Sequence, residues 1–461
     1  MSALSAERLG PHAERQAERF GTPGGQIALL TPEGVSVLAI GRSRSDLSDR
    51  VSPETLFQMG SSTKMLTAAL YLHAVDRGLV RLDTRVKDVL PDFRLGDRHA
   101  AAQITARHLL THTGGFDGDY YLDTGCDPGC IGTYVRACAD LEQITPPGVR
   151  HSYSNAGFAI LAHMCEQILE AEWPRLVVEV IARPAGMTHF FPSPSAPLPH
   201  TEIAWGHTRT SDGQTIPSPP YEHCCLAPCG GGPVCTSTDL LSFISMLMNG
   251  GVAPSGARVL SRQSAAAMLH REIEGPCSTF ASAWGLGTML HDWTGGQTLF
   301  GHDGAVPGQT TYLRAHAPTR TAICIMTNGG EADGFADAIV RESFCRMIGA
   351  DPQASPTVSE ARRPLSDYCG VYSTQGARLD VEEQDGGLRL TVAPGRRGLG
   401  GVLAMAVDLK PVDDERFLAS FPGRTFGLLQ RFVEFDESGR ASVLNFRGRE
   451  YRRDPAGEKA A

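Results

Sequence analysis

The sequence predicts an α+β domain followed by a small all-β barrel, and three observations carry that division. Up to about residue 349, apolar runs at helical spacing alternate with short paired runs at strand spacing. Residues 350–364 are polar and contain Asp351-Pro352 and Ser355-Pro356, the composition of a connector. Beyond Leu365 only short alternating runs remain, separated by turn residues. The expected organisation is a first domain over 1–349, a linker over 350–364, a barrel over 365–455 and a tail over 456–461. At 461 residues the chain has room for two cores.

Residues 5–19 have the period of an amphipathic helix, and Gly25 to Leu30 with Val35 to Ile40 read as a hairpin turned at Thr31-Pro32-Glu33-Gly34. A helix over Leu66 to Asp76 follows Phe57-Gln58-Met59-Gly60-Ser61-Ser62-Thr63-Lys64-Met65. Asp83 to Phe93 and Ile104 to Thr113 carry Leu and Val at helical spacing and end in Gly114-Gly115. Phe116 to Gly129, glycine-rich and acidic, reads as a loop over the site, and Ile131 to Asp140 as a helix. Pro146 to Asn155 is an extended lead into the apolar helix Ala156 to Leu169; Tyr153 and Asn155 alternate and so face the same side. Ala182 to Pro219, rich in Pro and Ser, yields no assignment. The glycine turn Gly230-Gly231-Gly232 precedes a helix over Thr236 to Met248. Trp284 to Leu290 reads as a strand and Leu299 to Pro307 as a second extended run, followed by a hairpin of Thr310 to Ala315 with Thr321 to Met326 and a closing helix over Gly334 to Met347. Barrel strands are expected at Tyr368 to Tyr372, Arg378 to Glu382, Gly387 to Val392, Ala404 to Leu409, Phe417 to Phe421, Gly427 to Glu434 and Ser442 to Arg447.

Charge and composition exclude several functions. A net charge of -9 with arginines scattered along the chain argues against a nucleic-acid partner. No apolar run approaches a membrane span, and the N-terminal residues lack the apolar stretch of an export signal, so the expected location is the cytoplasm. The twelve cysteines include two clusters, Cys126, Cys130 and Cys138, and His223, Cys224, Cys225, Cys229 and Cys235. Neither has a Cys-x-x-Cys pair, so no metal site is expected; in that compartment disulfides are disfavoured and free thiols are the expectation. His108 and His112, four apart, lack the glutamate of a zinc protease motif and read as helix packing and capping.

Catalytic chemistry concentrates at Ser61. If Ser61 opens a helix, Lys64 lies one turn on along the same face, so a hydroxyl meets an amine able to take its proton. The free N–H groups of the helix start suit a developing oxyanion. Four of the 42 basic residues are lysine, and only Lys64 has a serine three residues before it. Such a lysine, amid so much arginine, suggests that a base of lower pKa was required.

Ser61-x-x-Lys64, Tyr153-Ser154-Asn155 and His302-Asp303-Gly304, in that order, resemble the three motifs of the penicillin-recognising serine enzyme superfamily, in its class C β-lactamase, esterase and D-aminopeptidase branch. Arg107 to Gly115 is similar to that branch's second helix-turn, and Gly230-Gly231-Gly232 to its glycine turn. The likeness spans roughly residues 20–348; the barrel beginning Tyr368-Cys369-Gly370-Val371-Tyr372 resembles the lipocalin-like domains attached to many members. The resemblance implies an antiparallel sheet flanked by helices, with a helical subdomain. It also implies Ser61 as nucleophile, Lys64 as its proton acceptor, Tyr153 as general base and acid, and His302 on the strand beside the site, bonded to Tyr153 or substrate. Asn155 would bind the substrate carbonyl or orient Lys64, and Asp303, Gly304 and Ala305 would bind substrate, with the Ala305 amide as second oxyanion donor. His302 stands where β-lactamases carry lysine, which argues against penicillin hydrolysis.

The reaction so implied is acylation of Ser61 by a small or peptidyl ester, thioester or amide, D-configured ends included, and transfer of the acyl group to water. The alternative acceptor is an amine, as in stand-alone nonribosomal peptide macrocyclases of the penicillin-binding-protein-type thioesterase kind, whose partner is a carrier-protein-linked peptide. Arg447, with Arg449 two residues on, would then anchor a substrate carboxylate. A third reading is a protein that is acylated and stops, as a sensor does. No cofactor is expected.

Overall fold

The strand Thr321–Thr327 is buried along its whole length, which a strand achieves only at the centre of a sheet covered on both faces. The computed structural model describes residues 5–196, 202–210, 215–277, 281–354, 356–395, 405–421 and 427–455. The tail 456–461 and Ala404, the first residue of one expected strand, lie outside the described residues. Alternate side chains of the central strand enter different cores. Ile323 and Ile325 pack with Ile27 and Leu29 against Ala6–Phe20 and Ala332–Ile348, while Ala322, Cys324 and Met326 join the core formed with the helices Thr63–Asp76, Asn155–Leu169 and Ser237–Met248.

The antiparallel sheet has nine strands. Their order is Gly34–Gly41, Gly24–Thr31, Thr321–Thr327, Gln309–His316, Thr298–Gly301, Met289–Asp292, Ala281–Trp284 and Ile273–Cys277, with Gly304–Val306 also paired to Gln309–His316. The first hairpin closes at Thr31 opposite Gly34, as its turn residues dictate. Two expected strands are each broken in two. Trp284 to Leu290 turns at Gly285 to Thr288, where Gly285 N–H donates to Thr288 O at 3.0 Å and Gly287 has φ +77°. Leu299 to Pro307 breaks at His302 and Asp303, where the backbone bends toward Ser61. Helices expected over Asp83 to Phe93 and Ile104 to Thr113 shorten to Val86–Val89 and Ala106–Leu110, the second ending before His112 at φ +57°.

The helix Thr63–Asp76 is buried at every residue from Thr63 to Leu72, because its sequence is apolar around most of its circumference. It begins as one 3-10 turn, Gly60–Ser62. Among the described residues no helix is long and apolar enough to cross a membrane.

Eight strands from Gly370–Ser373 to Arg449–Arg453 close into an antiparallel barrel, with Tyr372 paired to Arg453. The last strand, Arg449-Glu450-Tyr451-Arg452-Arg453, escaped the sequence reading because it lacks apolar alternation. Its polar side chains reach other parts of the chain. Arg449 Nε donates to Asp119 at 2.5 Å, Arg150 Nε donates to Glu450 at 2.5 Å, and Arg452 donates to Ile144 O. The strand is entered through Arg447 and Gly448, both at positive φ and flanked by the pair Phe446 and Arg449, a two-residue turn of the kind that matches strand twist. Gly448 O accepts from Tyr153 N–H at 2.8 Å, so this turn meets the first domain backbone to backbone.

Phe432, fully buried among Tyr368, Tyr372 and Phe417, centres the barrel core. Phe432→Ala should cost about 3–5 kcal/mol in urea unfolding of the barrel transition; a loss within experimental error would contradict this packing.

Candidate active site

Lys64 is fully buried, and its amine has three oxygen partners. Nζ lies 3.1 Å from Ser61 Oγ, 2.7 Å from Asn155 Oδ1 and 2.8 Å from Cys229 O. The spacing in sequence therefore delivers the hydroxyl–amine contact it promised. Ser61 itself is half-buried and accessible. Asn155 opens its helix behind Ser154, whose Oγ accepts from Gly157 N–H at 2.9 Å, so the cap fixes where the amide starts. Asn155 Nδ2 donates to Asp119 Oδ1 at 2.8 Å and to Tyr121 OH at 3.0 Å, which leaves Oδ1 facing the amine.

Gly60 and Gly304 bring two backbones together beside Ser61. A Cβ on Gly304 would lie 1.9 Å from Met59 O and 3.1 Å from Ser61 N; one on Gly60, at φ +52°, would lie 2.5 Å from Ala305 N. Only glycine permits this approach, which places the amides of Ser61 and Ala305 side by side. Ser62 Oγ donates to His302 O at 2.8 Å and ties the strand to the helix start.

Tyr153 is buried against His112, their rings stacked at 4.3 Å, with Lys64 Nζ 4.8 Å and the Arg449 guanidinium 4.7 Å from its ring centroid. His302 sits 6.2 Å from Tyr153, ring to ring. Its Nδ1 donates to Asp303 O at 2.6 Å, so Nε2 carries the lone pair and has no hydrogen-bond partner among the described residues. Asp303 is taken up by a two-pronged pair with Arg314, at 2.5 and 2.9 Å. Arg447 lies over Phe421 of the barrel, 5.8 Å from the ring; it is Arg449 that reaches Tyr153 and Asp119. Asp119 and Tyr121 were not singled out in the sequence; His112 was read there as helix packing and capping and Cys229 as a free thiol, and neither was placed at the site. The single available signal was the position of Asp119 and Tyr121 in the acidic, glycine-rich loop.

The expectation of free thiols throughout is corrected at Cys126 and Cys224, which form a disulfide. The loop and the turn fold onto each other and bring the Cα atoms to 5.0 Å, a proximity that residues 98 apart in sequence do not reveal. Beside it, His223, Cys225 and Asp123 gather metal-type ligand atoms within 4.8 Å of one another. The ring nitrogens of His223 already bond Tyr221 OH at 2.7 Å and Leu122 O at 3.0 Å.

Burial sets the electrostatics around Tyr153. Burial first, then the charge of Lys64, pushes His302 down to about 3; burial, then Arg449, does the same to His151. His112 is driven well below its ordinary value by burial and by His151. Neutral His112 and His302 thus face the tyrosine at neutral pH, with neutral His151 behind His112. Asp117, at the seam with the barrel, is pushed up to about 6 by burial and by the Asp119 charge.

Known proteins resemble both parts of the chain. The beta-lactamase family profile matches residues 12–344. Penicillin-binding protein 4 of Amycolatopsis lactamdurans is 34% identical over 363 residues, covering 77% of this chain and 94% of that protein. A D-aminopeptidase of Brucella anthropi is 27% identical over 72% of this chain, which spans 62% of that protein's length. The crystal structure of SurE superposes with a TM-score of 0.79 at 26% identity and covers 97% of this chain and 99% of its own, barrel included; SurE with D-Leu gives 0.77 at 25%.

The buried histidines make stability depend on pH with a definite sign. Their folded values lie below the unfolded 6.5, so the unfolded chain binds protons first as pH falls. The stability they contribute is complete above about 6.5 and is lost progressively toward about 3. Asp117 opposes them: raised from 3.8 to about 6, it contributes at low pH and loses that contribution as pH rises through about 6. Three groups outweigh one, so the thermal midpoint should fall between pH 7 and pH 5, and His151→Phe should flatten the fall. A midpoint that rises toward pH 5 would contradict the assignment.

Proposed function

The chain belongs to the beta-lactamase family of serine acyl-transferring enzymes, and on that premise we propose that it is acylated on Ser61 by an ester, thioester or amide. The observation that carries the reading is the fully buried Lys64 amine held 3.1 Å from a half-exposed Ser61 hydroxyl. Lys64 takes the hydroxyl proton as Ser61 Oγ bonds to the substrate carbonyl carbon. The amides of Ser61 and Ala305 receive the carbonyl oxygen as it gains charge. Tyr153, whose ring lies 4.8 Å from Lys64 Nζ, hands the proton to the leaving group. Asn155 aims Lys64, and the buried His302 Nε2 lone pair is left to accept from Tyr153 or from substrate.

The acyl group then passes to water. Substrates ending in a D-residue fit this reading, since the D-aminopeptidase resembles the chain over 72% of its length and SurE has been crystallised with D-Leu. A second acceptor, an amine of the same peptidyl chain, is favoured by one observation. The barrel turn covers Tyr153 on one side with Gly448 O and the Arg449 guanidinium, which limits the access of water there. Chemistry of this kind implies a small or peptidyl substrate, with a carrier-linked peptide as its source in the second case.

Ser61→Ala should abolish covalent labelling by p-nitrophenyl acetate on intact-mass analysis; stoichiometric labelling of that variant would refute the nucleophile. Lys64→Arg, which keeps the charge but not the base, should lower acylation by about 10²–10⁴-fold, and full activity would remove Lys64 from the proton path. Peptidyl thioesters ending in a D-residue should yield free acid if water is the acceptor and cyclic amide if the chain's own amine is. The absence of any product or adduct from the whole panel would overturn the reading.

A further inference from the structure

The two segments joined by the disulfide are those that hold Lys64 in place. Residues 116–130 carry Asp119 and Tyr121, which fix Asn155 Nδ2 and so turn Asn155 Oδ1 toward the amine. The turn Cys224–Cys229 carries the other acceptor of the amine, Cys229 O, and Pro228 O, which receives Thr67 Oγ1 at 2.7 Å. Cys126 and Cys224 connect the segments across 98 residues, closing the Lys64 shell from outside. Besides that bond, the segments meet where His223 Nε2, at 3.0 Å, and Cys225 Sγ, at 3.4 Å, converge on Leu122 O.

We propose that Cys126 and Cys224 form a reversible thiol–disulfide modification site, and that the bridged form is the one in which Lys64 is aligned for acyl transfer. The inference rests on the acyl-enzyme reading. Cys126 is exposed and Cys224 half-buried, so a dithiol reaches the bond, whereas Cys138, Cys165, Cys229, Cys235 and Cys324 are buried. Two further thiols lie in the joined segments: Cys130, half-buried, and Cys225, which is buried and next to Cys224 in sequence. Burial raises the Cys225 value, but bonds to His223 and Thr124 outweigh it and leave the net shift downward. An exposed bridge with thiols alongside belongs to the exchangeable class, not the inert structural class.

The chemistry balances with a dithiol reductant. One of its thiolates attacks the Cys126 sulfur, the S–S bond breaks, and the electron pair leaves on the Cys224 sulfur, which takes up a proton. The second thiol of the reductant then expels Cys126 and leaves as a disulfide. Two electrons and two protons pass to the protein, and the chain regains the freedom of a long open loop. Asn155 and Cys229 O are then positioned independently, and small misplacement of a catalytic amine is costly.

The test uses the full chain in two states, oxidised with diamide and reduced with dithiothreitol, each verified by iodoacetamide mass shifts. Acylation by p-nitrophenyl acetate is followed as the burst of p-nitrophenol, and hydrogen exchange is followed over residues 116–130 and 224–230. Reduction should slow acylation by about 10–100-fold and raise exchange in both segments, with re-oxidation restoring both. The double variant Cys126→Ser, Cys224→Ser should match the reduced protein and ignore redox state, while Cys225→Ser should keep the response. Equal bursts in the two verified states, or a bond that diamide does not form, would overturn the proposal. Absence of acylation in both states would refute the acyl-enzyme reading, and the exchange difference then decides the bridge alone: unchanged exchange overturns it.

Discussion

A lysine amine buried in the middle of a protein has to be surrounded by acceptors, and most of the helical subdomain can be read as the supply of them. Lys64 has no exposed surface, so every hydrogen it keeps needs an oxygen that the fold provides. Ser61 comes from the same helix, Asn155 from the start of a second helix, and Cys229 O from a turn 165 residues away. Each partner is itself fixed by a second contact: Asn155 by Asp119 and Tyr121, and the turn by Thr67 receiving Trp173 Nε1 at 3.2 Å while donating to Pro228 O. Loss of one partner leaves a buried polar group uncompensated, and this gives the arrangement its rigidity.

The same logic extends into the barrel. Asp119 is shared between Asn155 and Arg449, so the series Lys64, Asn155, Asp119, Arg449 runs from the helix of the first domain to the last strand of the second. The seam around it is polar: Arg150 with Glu450, Asp117 with Gln375 N–H at 2.9 Å, and Ser152 Oγ with Glu450 N–H at 3.1 Å. Seams of this composition hold by geometry more than by apolar area. Burial of Arg449 opposes its charge, but the Asp119 carboxylate more than compensates, and its guanidinium value rises.

Legibility in the sequence followed the range over which each signal acts. Ser61 and Lys64 are one helical turn apart, so local geometry alone brought them together. The hairpin at Pro32-Glu33 and the paired strands ending at Thr327 were equally plain, because turn residues and alternation are local codes. The break at His302 was invisible because it answers to Met59 and Ser61, more than 200 residues earlier. The disulfide and the Asp119–Arg449 pair failed for the same reason, since neither partner carries a mark of the other. The final barrel strand was missed because its charged residues, which look solvated in a string, are consumed at the seam.

Among the described residues the interior of the barrel is filled. Tyr368, Tyr372, Phe417 and Phe432 meet edge to face there, closed in by Leu379, Leu390, Leu409 and Leu444, as eight strands allow. A lipocalin-like shape therefore does not here amount to a calyx. What the barrel turns toward the first domain is its rim, above all the Arg447-Gly448 turn, and a rim can be recut residue by residue while the plug of aromatic side chains stays as it is. The face that meets the first domain can therefore change without the second domain ever having to be refolded.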